Sequence, residues 1–181
     1  MASKITMPKK EVKRLLAMDL SLSSPAYAII DIVNGKGLVR EIRRTDNKSG
    51  KLPKLTHGER LDRIAKDIMK IFVDYPDIDA VVRERGFFRF ATTTQILYKV
   101  VGVSDLKVYE ASGISVIDEI APTAVKKLVT GDGKSDKKAV EAGVIRHLVP
   151  MQKDIKFETD DCSDAVAVGI AWMIQRNLLI A

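Results

Sequence analysis

Asp19 closes the apolar run Leu15-Leu16-Ala17-Met18, which reads as a buried central strand. A carboxylate there is costly unless it is paired, metal-bound or capping its own turn. Glu84 ends a second apolar run, Ala80-Val81-Val82, with Arg83 and Arg85 turned to the opposite face by the two-residue period of a strand; a surface ion pair is the plainer account of it. Asp161 and Asp164 are three residues apart at the start of a final apolar helix and share one face, where the partial positive charge of the N-terminus favours ionised carboxylates. Helix capping, by these acids or by Asp160 and Ser163, is an alternative. Together the four say more than any one, because several carboxylates clamping two hard divalent cations about 3.5 to 4 Å apart is a common way to cleave phosphodiesters.

Other chemistries are thinly supplied. The single cysteine, Cys162, cannot form an internal disulfide, and it reads as a small packed residue, since His57 and His147 are far away in sequence and the flanking acids disfavour a thiolate. Two histidines and one cysteine do not build a zinc cage, so any metal is held by oxygen. The formal charge of +6 is unevenly spread. Met1 to Arg14 holds five bases and one acid, Lys36 to Arg63 nine bases and four acids, and Glu158 to Asp164 four acids and no base. Basic surfaces around one acidic spot suit a metal-dependent nuclease, and ordinary solvated charge resembles them.

Several elements must position these residues. At 181 residues, 46% hydrophobic and 30% charged, the chain is sized for one packed domain. We expect a basic arm over 1–13, whose order is open, and a single domain over 14–181. Leu15 to Leu20, Ala26 to Ile32 and Gly37 to Ile42 read as three antiparallel strands, the last two joined by an Asn34-Gly35 hairpin. Thr45 to Lys54 reads as a mobile basic loop. Thr56 and Glu59 have capping-box spacing before a helix that runs to Pro76 and covers the sheet. A strand at Ile78 to Val82, a helix from Thr92 to Tyr109 and a strand from Ile114 to Ile120 follow. Two helical stretches then flank Gly131-Asp132-Gly133, and a buried helix spans Asp164 to Leu179. The result is an α/β fold, a mixed five-stranded sheet with helices on both faces. No signal sequence or membrane span is expected, and the cytoplasm is the expected location.

Four blocks resemble the RuvC family of Holliday junction resolvases: Leu15 to Ser21; Glu84 with Phe87 three residues on; Ala121-Pro122-Thr123-Ala124-Val125-Lys126 through Gly131-Asp132-Gly133-Lys134-Ser135-Asp136-Lys137; and Asp161-Cys162-Ser163-Asp164-Ala165. Their order and spacing agree with the family from about Lys13 to Ile180. Ser24-Pro25-Ala26-Tyr27-Ala28-Ile29 looks more like viral members, such as phage and poxvirus resolvases, which implies a phage protein working in a bacterial cell. Ser21 stands where bacterial members carry glycine.

The resemblance implies an RNase H-like fold and a catalytic set of Asp19, Glu84, Asp161, Asp164 and Lys137. The four acids would bind magnesium or manganese, two ions per site. It also implies DNA contacts by Lys126, Lys127, Lys134, Lys138 and Arg85, with Phe87 or Phe88 stacking on an unpaired base. The implied partners are branched DNA, chiefly four-way junctions, and a second copy of the chain, to which the helix from Thr92 to Tyr109 contributes. Three competitors stand beside this reading: an RNase H-like nuclease acting on other branched DNA or RNA-DNA hybrids, a non-catalytic junction-binding protein, and an actin-like or sugar-kinase-like NTPase. The last lacks a Gly-rich phosphate cradle in this sequence.

Overall fold

Leu15, Leu16, Ala17 and Met18 are apolar at consecutive positions, so the strand they form needs cover on both faces. In the structure, a computed structural model that describes residues 12–48, 55–86 and 91–180, they lie in β1 (Arg14–Asp19) and are fully buried. β1 is the middle of a five-stranded sheet whose order is β3-β2-β1-β4-β5. β2 (Ala26–Val33) and β3 (Lys36–Arg44) pair antiparallel, while β4 (Ala80–Glu84) and β5 (Asp118–Ile120) add on parallel. The β2–β3 hairpin turns through Asn34 and Gly35, both at positive φ, as a two-residue turn matching strand twist requires.

Alternation along β1 sorts the core into two layers. Leu16 and Met18, with Tyr27 and Ile29 of β2, pack under α1 (His57–Asp74) and α2 (Ala91–Ser112). Leu15 and Ala17, with Ala28 and Ile30, pack under α3 (Pro122–Thr130), α4 (Lys137–His147) and α5 (Asp160–Gln175). The capping box at the start of α1 forms as expected: Thr56 accepts from the Glu59 backbone, and the Glu59 carboxylate accepts from that of Thr56. Gly169 lets α5 lie close on the sheet, since a Cβ there would stand 2.5 Å from Ile30 Cδ1 and 3.0 Å from Ala17 Cβ. At its far end α5 is tied to β5: Trp172 Nε1 donates to Asp118 Oδ2 at 2.7 Å, and Arg176 reaches the same oxygen at 2.5 Å.

The observed elements correct the expectations in three places. The fifth strand is only Asp118–Ile120, because Ile114 and Ile117 turn instead into the α1–α2 layer. The last helix begins at Asp160 and ends at Gln175, four residues earlier at each end than its apolar pattern suggests. Thr45 and Asn47 are buried, not part of a loose loop; their backbone N–H groups bond Pro25 and Ser23, and Thr45 Oγ1 donates to Asp67. Most of the expected basic arm, residues 1–11, lies outside the described residues, as do residues 49–54 of the expected loop.

Asp31 holds the outer sheet layer through charge. Arg14 grips both its oxygens and Arg40 Nε adds a third bond at 2.6 Å. Burial pushes the Asp31 carboxyl up, but the hydrogen bonds from the two guanidinium groups outweigh it and hold it below the usual range. A depressed folded value stabilises the protein above the unfolded value of about 3.9 and stops doing so as pH falls through the folded one. Asp31→Asn should cost about 2 kcal/mol at neutral pH, and the gap to wild type should close below about pH 4. Urea unfolding at pH 7 and pH 3 reads both values, and an equal gap at the two would rule out a charge effect.

Candidate active site

The parallel pairing of β1 with β4 sets the first two acids side by side. Met18 is in register with Arg83, so the next residue on each strand is Asp19 and Glu84, both at carboxyl ends. Both alternate onto the α5 face, following Leu15 and Ala17 on one strand and Ala80 and Val82 on the other. Crevices beyond the carboxyl ends of parallel strands are where α/β sheets bind ligands. The N-terminus of α5 brings Asp160, Asp161 and Asp164 to the same place, and its cap is Thr159, which accepts from the Cys162 backbone. Asp160 and Ser163 are therefore not the caps. Cys162 is buried and packs, as expected.

The electrostatics record the crowding. Asp19 is pushed up to about 7, first by burial and then by Asp164 and Asp161, with Lys137 opposing. Glu84 is also pushed up to about 7, by burial and then by Asp19 and Asp164, against Lys126. Burial raises Asp164 as well, although Lys137 opposes it. Glu84, Asp164, Lys126 and Lys137 line one cleft of about 160 Å³ with Pro122, Val125, Val140 and Ala167.

Lys137, at the start of α4, lies 2.8 Å from Asp160 and 3.6 Å from Asp164. The hydrogen bond to Asp160 raises its ammonium above the ordinary value, and Asp164 adds to the effect. Lys126 sits on α3 and makes no ion pair with a described residue. Close packing of α3 on α4 fixes the relation between these lysines, since a Cβ on Gly143 would fall 2.6 Å from the Val129 carbonyl oxygen.

Not every expected residue joins the cleft. Lys127, Lys134 and Lys138 are exposed around the α3–α4 turn. Arg85 pairs with Glu119 at 3.4 Å and lines a different cleft, with Leu97, Tyr98 and Val101. Its neighbour Arg83 is buried between Glu119 and Asp105 on the α2 side, opposite Glu84. Phe87 and Phe88 lie outside the described residues. Sequence reasoning also missed two residues at the edge of the cluster. Ser24 donates to Asp161 Oδ2 at 2.8 Å, and Arg44 reaches Ser24 Oγ. In the sequence Ser24 reads as part of a Ser23-Ser24-Pro25 turn and of the block that resembles viral members, and nothing marks Arg44.

As placed, no three His, Cys, Asp or Glu side chains among the described residues stand ready to hold a metal ion. The chemistry of the donors nevertheless suits a hard divalent cation. They are all carboxylate oxygens, partly withdrawn from water, whose mutual repulsion a cation would relieve.

The sequence profile of the crossover junction endodeoxyribonuclease RuvC family matches residues 15–172. The chain belongs to the RuvC family. Crossover junction endodeoxyribonuclease RuvC of Synechococcus sp. strain CC9311 is 29% identical over 172 residues, covering 90% of this chain and 99% of its own. That of Prochlorococcus marinus subsp. pastoris is 31% identical over 160 residues, covering 87% and 94%. Among solved structures, Thermus thermophilus RuvC has the same fold, with a TM-score of 0.75 at 18% identity over 91% of this chain and 96% of its own. The fowlpox virus Holliday junction resolvase gives 0.52 at 16% identity over 90% and 99%. The RuvC fold, a mixed sheet with the antiparallel strands first, is the one expected from the sequence.

The raised acids carry a stability cost. An acid whose folded value exceeds its unfolded one stays protonated in the fold while the unfolded chain ionises, so stability falls as pH rises from about 4 toward 7. Metal-free Asp19→Asn should therefore melt higher than metal-free wild type at pH 8, with the difference absent at pH 4. Calorimetric melts at the two pH values check this, and a lower-melting variant at pH 8 would refute the crowding.

Proposed function

We infer that this protein is a divalent-metal-dependent endonuclease that resolves four-way (Holliday) DNA junctions by paired symmetric nicks, leaving 5′-phosphate and 3′-hydroxyl ends. The observation that carries the reading is the convergence of Asp19, Glu84 and Asp164 on a cleft lined by Lys126 and Lys137, in a chain of the RuvC family. Thermus thermophilus RuvC, similar in fold with a TM-score of 0.76, has been solved in complex with a Holliday junction substrate.

In this reading Asp19, Glu84, Asp161 and Asp164 hold magnesium or manganese, two ions per site. Bound there, the ions supply an activated water and charge to stabilise the leaving oxygen. Lys137, already between Asp160 and Asp164, meets the phosphate beside the scissile bond, and Lys126 meets it from α3. Lys127, Lys134, Lys138 and Arg85 bind phosphates farther along the strands, which fixes register without reading sequence. Phe87 or Phe88, beyond the end of β4, stacks on a base exposed at the junction centre. We place the activity in the cytoplasm; among the described residues no helix is long and apolar enough to cross a membrane. Within the family, the viral placement rests on Ser24 to Ile29 alone, and the two relatives matched by sequence, from Synechococcus and Prochlorococcus marinus, are bacterial.

End-labelled four-way junction, flap, linear duplex and RNA-DNA hybrid test the assignment. Paired nicks confined to the junction, lost with EDTA and in Asp164→Asn while junction binding persists, are the expected result. Better cutting of flap or hybrid would move the substrate to another branched or hybrid nucleic acid.

Symmetric nicking calls for two sites related by a two-fold axis, hence a homodimer. α2 supplies a candidate face. At 100° per residue Tyr98, Gly102, Leu106 and Tyr109 fall within an arc of about 80°, and the three large side chains are more than half exposed. A Cβ on Gly102 would meet nothing within 4 Å, so the glycine leaves room for a close neighbour rather than serving contacts within the subunit. Leu106→Glu should shift the protein to monomer in sedimentation and turn paired nicks into single ones; a variant that stays dimeric would move the interface elsewhere.

A further inference from the structure

The link between β1 and β2 is built on hydroxyls. Ser21 Oγ accepts the Ser24 backbone N–H at 3.0 Å, closing the turn two residues past Asp19. Ser24 is 2% exposed, and its Oγ stands 2.8 Å from Asp161 Oδ2, a residue 137 positions away. Arg44, the last residue of β3, places Nη1 3.4 Å from the same hydroxyl. A guanidinium only donates. The Ser24 oxygen therefore accepts from Arg44, and its one proton is left for Asp161. Arg44 is in turn oriented by acids on two sides, Glu158 at 3.7 Å just before α5 and Asp46 at 4.0 Å. The second oxygen of Asp161, Oδ1, makes no hydrogen bond with a described residue.

We propose that Ser24 is a positioning residue for Asp161: its hydroxyl, set by Arg44, holds Oδ2 and so fixes the orientation in which the carboxylate would meet a divalent cation. The assignment rests on the reading of Asp161 as a metal ligand given above. A carboxylate free to rotate would lose its orientation on the first turn of α5. The hydroxyl restrains that freedom from the inner side of the carboxylate, since Ser24 itself is almost wholly out of water. A purely structural role for the same contact would be to fasten the start of α5 to the sheet, and the two roles differ in what they predict for metal binding.

Manganese binding to the full-length, DNA-free protein, followed by calorimetric titration or by loss of the free-ion electron paramagnetic signal, separates them. Asp161→Asn should weaken binding. Ser24→Ala should weaken it about tenfold, with circular dichroism unchanged, and Ser24→Thr, which keeps the hydroxyl, should recover most of that loss. In the Asp161→Asn background Ser24→Ala should have no further effect on manganese binding, because position 161 then offers the ion no carboxylate for Ser24 to orient. Wild-type manganese affinity in Ser24→Ala, or the same fold loss in both backgrounds, would overturn the positioning role. If Asp161→Asn itself binds manganese and cuts junctions as wild type does, the assignment of Asp161 falls, and the role of Ser24 with it. Should Ser24→Thr not fold, the Ser24→Ala and Asp161→Asn cycle decides by itself.

Discussion

The seating of α5 on the central strands is the contact on which the rest of the molecule depends. Gly169 allows the helix backbone to approach Ala17 and Ile30 at a distance no larger residue permits. Above and below it Ala165, Val168 and Trp172 fill the same layer. Each large apolar side chain fully buried there contributes about 1.5 to 3 kcal/mol. That reserve offsets what the near end of the helix costs, where carboxylates are crowded together and partly out of water.

Stability and chemistry therefore oppose each other along one element. The far end and middle of α5 bury apolar area and satisfy their polar groups. The first turn faces two strand-end acids whose ionisation the fold resists. A chain selected for stability alone would place apolar or neutral groups at 19, 84 and 164, and the two lysines of the cleft relieve the strain only in part. Such unrelieved local cost is what marks a site as functional rather than architectural.

Much of this was legible in the sequence because it follows from period and position. The consecutive apolar residues of β1 required a central strand, and alternation set Arg83 and Arg85 on the face opposite Glu84. The capping box, the Asn34-Gly35 turn and the pairing of Asp161 with Asp164 on a helix face are likewise local. What escaped was set by tertiary contact. Ile114 to Ile117 looked like strand, yet Ile114 and Ile117 pack into the α1–α2 layer while Val116 is exposed. Ser24 and Asp161 are joined across most of the chain, and no spacing rule connects them. Arg85 pairs with Glu119 on the adjacent strand, a contact that no spacing rule gives. The start of α5 was misread because Thr159, a modest capping residue, outcompeted the acids around it.

The bond from Trp172 to Asp118 gives α5 a second fixed point, two turns beyond the acids. With the near end held by Ser24 and the far end by Asp118, the helix works as a ruler of set length and phase. One residue gained or lost between Asp164 and Trp172 would rotate one end against the other by about 100° and slide it by about 1.5 Å. The chain could then keep its anchor or its carboxylate geometry, but not both. Descent with insertions and deletions, tolerated in many surface turns, is closed to this stretch, where only substitution is available.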